Sequence, residues 1–303
     1  MNVTPRNGRL VLKHWKPDVL FVESAWQGRW NSWKFNIAAY PGHPNRSNRS
    51  LAEVVEAARD ANIPAIFWNR EDGVHFDRFI KSASLFDRVF TVDEGMIPRY
   101  RKMLGPTATV DVLMFAIQPF IHYPKNSVTT AGISFVGSYG THIHLARRAW
   151  QDMMFHAAKD IGITVYDRNS ARTAIQYRYP VCPWLKVKSS IPYKRTADVY
   201  RMHIANLNVN TIQNSTTAFS RRLIEILACG ALAITNSTPA VKRLFADYCE
   251  MVDDKDTAKS LFDRLARAGL SSHDKERAYA GAEHVRLHHT WRHRLDQVVA
   301  LLR

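Results

Sequence analysis

SRRLIEILACGALAIT, Ser220–Thr235, reads as a helix followed by a strand, and that pair decides the fold. Phe219, Leu223, Ile226 and Leu227 recur at helical spacing, and Ile224 and Ala228 widen the apolar surface. Gly230 breaks the helix, and ALAIT has the run of apolar residues of a short buried strand. So apolar a helix should be mostly covered. Yet it has Arg222 and Glu225, three apart and therefore on one face. Either the two make a surface ion pair worth less than about 1 kcal/mol, or they are held in place for a ligand.

The same alternation extends outward in both directions. Upstream, DVLFVES (ending near Glu23), PAIFWN, FDRVFTV and ATVDVLMF read as strands, and LAEVVEAARDANI and EGMIPRYRKML as helices. A stretch with few periodic cues, AIQPFIHYPKNSVTTAG, contains Pro119 and Pro124 and reads as an interdomain linker. The pattern then restarts with the strands ISFVG, ITVYD, IANLNVN, ALAIT and YCEMVDD. Helices are expected over IHLARRAWQDMMFHAAKDIG, from Pro239, after Asp256, and twice more before the end. Two such arrays predict an α/β protein of two doubly wound domains. The expected bounds are 1–120 and 121–285, with a C-terminal helix over 286–303 returning to the first domain. Ligands of such sheets lie beyond the carboxyl ends of the strands. That rule nominates Glu23, Ser24, Asn69–Asp72, Asp93 and Glu94 in the first domain. In the second it nominates Gly137, Ser138, Asp167, Asn208–Asn214 and Thr235–Ser237. If the domains face each other, these residues line one central cleft.

Charge narrows the partners. The 303 residues hold 42 Lys and Arg against 27 Asp and Glu, a net charge of +15. That balance favours phosphorylated ligands, anionic lipid, other polyanions or nucleic acid. The three cysteines are widely spaced and form no Cys-x-x-Cys pair, which argues against a disulfide scaffold or zinc site. Cys229 reads as a small core residue. The opening MNVTPRNGRLVLKHW has no apolar run of signal-peptide length, and no stretch approaches the roughly 20 apolar residues of a membrane span. A cytoplasmic location is expected, with peripheral membrane attachment left open.

Four motifs bear on chemistry. SFVGSYGTHIH runs from strand through a small-residue turn to helix, where backbone N–H groups can approach a phosphate. A plain tight turn explains it equally well. It lacks the Gly-x-Gly-x-x-Gly spacing, which argues against a nicotinamide dehydrogenase. FWNREDGVHFDRF sets Glu71, Asp72, His75 and Asp77 just after a strand, where a carboxylate can act as a base or cap a helix. DDKD, Asp253–Asp256, contains an Asp-x-Asp but leads into a helix, so Asp256 reads as an N-cap rather than a metal ligand. Arg168–Arg195 holds seven basic residues and no acidic one, interleaved with Tyr177, Tyr179, Trp184 and Tyr193. It reads as a polyanion, nucleic-acid or membrane surface, or as a solvated crossover. No nucleic-acid-binding signature accompanies it.

PDVLFVESAW, IPAIFWNREDGVHFDRF, FDRVFTVD, SFVGSY, VYDR, LNVN and SRRLIEILACGALAIT, in that order, resemble the CgeB-like bacterial glycosyltransferases of the GT-B fold, with Gly73 standing where those proteins usually have Pro. The resemblance implies two Rossmann-like domains, the first on the acceptor side and the second holding a nucleotide-sugar donor. It implies that Glu225 holds the ribose hydroxyls and that Arg222 or Arg221 neutralises the diphosphate. Gly137, Ser138, Asn210 and Ser220 would assist. Asp72, Glu71 or Glu23 would be the base if the reaction inverts configuration. Lys186, Lys188 and Lys194 would face an acidic, membrane-associated or nucleic-acid acceptor. No metal and no cofactor beyond the nucleotide sugar is expected. A nucleotide-sugar epimerase of the same fold and a non-catalytic polyanion-binding protein are the alternatives. Donor base, sugar, acceptor and oligomeric state stay open.

Overall fold

The computed structural model describes residues 2–43, 45–125 and 130–302. The chain divides into two compact units. The first runs to Met114 and includes the stretch from Val299; the second is Phe115–Val298. This boundary lies a few residues before the 120/121 junction, and only the end of the last helix goes with the first unit.

The first unit begins with α1 (Gly8–Trp15), then β1 (Leu20–Glu23), α2 (Arg49–Asp60), β2 (Ala65–Asn69), α3 (Phe76–Ala83), β3 (Arg88–Thr91), α4 (Ile97–Leu104) and β4 (Thr109–Val112). Its four strands are parallel and lie in chain order, β1-β2-β3-β4. Ile66, Phe67 and Trp68 of β2 are all buried, as an inner strand covered on both faces requires. The amphipathic α1 and α3 were not anticipated from the sequence.

The second unit comprises β5 (Thr130–Gly137), α5 (Leu145–Ala157), β6 (Ile163–Asp167), β7 (Leu185–Lys188), α6 (Thr196–Met202), β8 (His203–Leu207), α7 (Arg221–Ala228), β9 (Ala233–Thr235), α8 (Pro239–Phe245), β10 (Glu250–Met251), α9 (Lys255–Ala268), α10 (Ser272–His288) and α11 (Trp291–Leu302). All its strands are parallel, in the order β10-β9-β8-β5-β6-β7. From β5 the chain winds one way through β6 and β7, then returns to the other side of β5 with β8. The point where the order reverses is thus the β5/β8 junction, where sheets of this kind leave a crevice for ligand. β7 and α6 were absent from the sequence reading.

Two further expectations need correction. The segment read as a free linker is partly built into the second unit. Ala116, Ile117 and His122 are buried, Ile117 bridges to Thr290, and His122 Nε2 lies 3.0 Å from Thr196 Oγ1. Its residues 126–129 lie outside the described residues. The N-cap of α9 is Asp254, not Asp256. The Asp254 carboxylate accepts from the Thr257 N–H at 2.9 Å and from its hydroxyl at 2.8 Å.

Candidate functional site

At the β5/β8 junction the first question posed by the sequence is answered. α7 is buried all round, because it sits between the sheet and α10. Arg222 is 9% exposed and Glu225 is 4% exposed, so neither belongs to a surface ion pair.

Arg222 is fixed from three sides. Its Nε donates to the Val136 carbonyl at 2.6 Å, its Nη1 donates to Asn208 Oδ1 at 3.4 Å, and its guanidinium lies 4.8 Å over the Phe135 ring. All three partners come from the ends of β5 and β8. Burial lowers its pKa, but an arginine starts so high that it stays charged. The group therefore sits beside the β5 turn as a permanent, oriented cation. The turn needs its glycine: a Cβ on Gly137 would collide with the Phe135 ring and lie 3.2 Å from Arg222 Nη2. Gly137→Ala is expected to cost about 1–3 kcal/mol of stability by overpacking and to weaken nucleotide binding by displacing Arg222. Chemical denaturation and nucleotide titration of the variant check both, and wild-type values in both would show that the turn yields freely.

Two more arginines converge there. Arg147, at the start of α5, is half-buried and donates from Nη2 to the Ser138 carbonyl at 3.0 Å. Burial pushes its pKa down to about 10, with Arg222 and Arg168 adding repulsion. Arg168, just past β6, is exposed at its side chain and donates its backbone N–H to Gly137 at 2.8 Å. Among these cations lies the Tyr179 hydroxyl, which is buried and has no hydrogen-bond partner. Burial raises its pKa, so it remains a neutral donor. Two guanidiniums held at a strand-end turn, with Arg168 following the neighbouring strand, are chemically suited to an anion rich in acceptor oxygens. Arg147, Arg168 and Tyr179 were not picked for this role from sequence. Arg168 and Tyr179 carried a signal only as members of the basic, aromatic segment 168–195, and Arg147 carried none.

Glu225 lies one helical turn from Arg221, whose Nε is 2.9 Å from Oε1. The contact is an ion pair without hydrogen-bond alignment, since Oε1 is buried and receives no hydrogen bond. The Arg221 guanidinium lies 5.0 Å over the Tyr193 ring. Burial raises the carboxyl pKa, against the pull of Arg221. Arg221 thus balances the charge of this oxygen without giving it an aligned hydrogen bond, which leaves a carboxylate lone pair unused.

Asn210 is placed differently from a ligand contact. It is buried, its amide donates to Thr235 Oγ1 at 3.0 Å and to Asn236 Oδ1 at 3.2 Å, and its Oδ1 accepts from the Ser220 N–H at 2.8 Å. It ties the end of β8 to β9 and to the start of α7, and so positions the helix that carries Arg222 and Glu225. Ser220 is the N-cap residue of α7, and its hydroxyl makes no cap hydrogen bond. Lys186 and Lys188 lie exposed on the edge strand β7, with Lys188 Nζ 5.3 Å from the Tyr166 ring centre, and Lys194 is exposed in a short turn before α6.

In the first unit the three carboxylates separate. Asp72 is buried and fully engaged. Its Oδ1 accepts from Asn69 at 2.7 Å, and its Oδ2 accepts from Thr91 and Tyr100, each at 2.8 Å. It joins the ends of β2 and β3 to α4, a structural engagement that the sequence reading of Asp72 as a candidate base did not include. Glu23 is exposed and paired with Arg70 at 2.9 Å. Glu71 is half-buried and makes no ion pair among the described residues.

Burial raises the Asp72 pKa from 3.8 to about 7, outweighing its hydrogen bonds. The folded state then holds a proton that the unfolded state has released, so stability falls as pH rises between those two values. Asp72→Asn should flatten that slope, by up to about 4 kcal/mol over the window. Urea midpoints measured across this pH range check it, and identical profiles for the two proteins would remove Asp72 as the source.

Residues 145–300 match the family model described as "Glycosyl transferase-like", a little over half of the chain. No curated protein matches the sequence significantly. Among solved structures, Anabaena HepE in complex with UDP-glucose superposes with a TM-score of 0.58 at 11% identity, covering 84% of this chain and 77% of that one. A glycosyltransferase from Rickettsia africae ESF-5 gives a TM-score of 0.58 at 12% identity, covering 99% and 83%. Sucrose-phosphate synthase from Thermosynechococcus elongatus gives 0.59 at 11% identity, covering 98% and 76%. At such identities the likeness establishes the fold, the two-sheet α/β arrangement of GT-B glycosyltransferases.

Proposed function

This chain belongs to the glycosyl transferase-like family, and from that premise we propose that it transfers a sugar from a nucleotide-sugar donor held by the second unit. The observation that carries the reading is that Arg222 and Arg147 are held at the β5 turn by the Val136 and Ser138 carbonyls, with the backbone of Arg168 bonded to Gly137 between them. A nucleoside diphosphate is the leaving group of such a transfer, and its charge grows as the glycosidic bond breaks. Guanidiniums already oriented by burial stabilise that charge without reorganising. Glu225 supplies the complementary end, a carboxylate suited to two neighbouring ribose hydroxyls. HepE was crystallised with UDP-glucose, which supports a donor of this class. Arg222 and Arg147, held by the Val136 and Ser138 carbonyls, offer positive charge of the kind a metal would otherwise bring, and the reading needs no metal.

Within the family we place the chain in the CgeB-like subgroup, on its ordered motifs. The acceptor side is assigned to the first unit, with Glu71 as the base if configuration inverts. Glu71→Gln should then lower turnover about tenfold or more while donor affinity stays unchanged. Lost donor affinity with normal turnover at saturation would reverse that assignment.

The experiment that tests the function is a thermal-shift screen against UDP-, GDP-, dTDP- and CMP-sugars, with and without EDTA. A ligand that binds only the folded state raises the melting temperature with its concentration. A nucleotide sugar that stabilises the protein equally in EDTA, followed by product analysis, distinguishes transfer from epimerisation. No response to any nucleotide would remove the donor site.

A further inference from the structure

The basic segment Arg168–Arg195 alternates charge with aromatic rings in sequence, the pattern of a base-stacking surface. The fold buries Tyr179, half-buries Tyr177 and Trp184, and leaves Tyr193 39% exposed. Tyr179 is buried against Tyr139, with ring centres 5.2 Å apart. Trp184 packs on the core and donates Nε1 to the Phe155 carbonyl at 2.9 Å. Tyr177 has the Arg172 guanidinium 4.5 Å from its ring centre and the edge of His142 at 5.1 Å. Tyr193 lies beneath Arg221.

Aliphatic side chains reach solvent instead. Ile175 is 83% exposed and Val181 fully so. The loop after β5 adds Ile143 at 42% and Leu145 at 66%. The two loops are stitched together. The Thr141 N–H donates to the Gln176 carbonyl at 2.9 Å, and Arg148 Nη1 donates to the Thr141 carbonyl at 2.9 Å. The result is a pair of joined loops with four exposed aliphatic side chains, Arg172 and Arg178 on the part that contains no carboxylate from 168 to 195, and Arg148 paired with Asp152 at 3.4 Å on the other.

We propose that these joined loops dock the protein onto an anionic lipid surface. Aliphatic tips on ordered loops can enter the boundary between headgroups and acyl chains, while the flanking guanidiniums meet lipid phosphates. The loop pair is a poor match for single-stranded nucleic acid, which needs free aromatic faces on which bases stack. Here Tyr179 is buried, Trp184 packs on the core, and the rings of Tyr177 and of the part-exposed Tyr193 each already carry a guanidinium. The docking does not depend on the transferase reading, because no sugar or nucleotide takes part in it.

The test is co-sedimentation of the full chain with vesicles of phosphatidylglycerol and phosphatidylcholine in equal parts, against vesicles of phosphatidylcholine alone. Wild type should sediment with the anionic vesicles only, and high salt should release it. The double variants Ile175→Ser with Val181→Ser, and Arg172→Gln with Arg178→Gln, should each lower the partition on the order of tenfold. All four positions are exposed or half-exposed surface residues, so melting temperatures should stay at the wild-type value, which separates lost docking from lost folding. Wild type remaining in the supernatant overturns the proposal. So does either double variant sedimenting like wild type. Single-stranded DNA that strips the protein from anionic vesicles at physiological salt, by binding these loops more tightly, also overturns it and assigns the surface to nucleic acid.

Discussion

Arg222→Lys should leave a folded protein whose sugar transfer is slower by about 10²–10³. The arginine does two things that a lysine cannot do together. Its Nε holds the Val136 carbonyl at 2.6 Å, and the rest of the fork, stacked on Phe135, lies beside Gly137 at the β5 turn. An ammonium keeps the charge but has no planar fork, so it can satisfy the carbonyl or face the leaving diphosphate, not both. Losing the Val136 hydrogen bond should cost about 1–3 kcal/mol of stability. Turnover at saturating donor, measured well below the variant's melting temperature, separates the two effects. A variant with turnover within a few-fold of wild type would show that Arg222 is a packing residue only.

Glu225→Gln should weaken donor binding by about 10- to 150-fold, the equivalent of about 1.5–3 kcal/mol for a charged hydrogen bond. The amide has nearly the same shape, so the helix should persist. One carboxylate oxygen is lost as an acceptor, however, and Arg221 is left without its counter-ion. pH adds a second signature. Burial raises the Glu225 pKa, so the carboxylate takes up its proton at a higher pH than an ordinary glutamate. Wild-type donor affinity should fall as pH is lowered through that raised value, and the glutamine variant should not share this dependence. Titration calorimetry across pH reads both outcomes. Equal affinity in the two proteins would return Glu225 to a purely structural pairing with Arg221.

The alternation of strand and helix was legible because it is local. β2 is a run of apolar residues in AIFWN, α5 shows helical periodicity, and α8 opens with Pro239 behind the Thr238 cap. The misses have local causes too. β7, with sequence LKVK, alternates as an edge strand does, but its lysines draw attention to charge rather than to period. α3, with sequence FDRFIKSA, begins within a cluster of acidic and histidine residues that reads as chemistry. Asp72 shows the opposite case. Position after a strand makes a carboxylate look available, and nothing in the neighbouring residues says that Tyr100 and Thr91 will enclose it.

By itself, then, the sequence determined the class of fold, the order of most strands and of the longer helices, and the anomaly of two charges on an apolar helix. Each of these depends on residues within one or two turns of one another. Only the tertiary structure decided what the charges are for. Arg147, Arg168 and Arg222 are separated by 21 and 54 positions, and each bonds to the end of β5 or the turn after it, Arg168 through its backbone, because β5 lies between β6 and β8. The same holds for the basic segment. Whether its tyrosines or its aliphatics face water depends on which side of the loop packs against Tyr139 and Phe155. Burial is a property of the assembled core rather than of any residue's type, and the spacing of residues along a chain does not encode it.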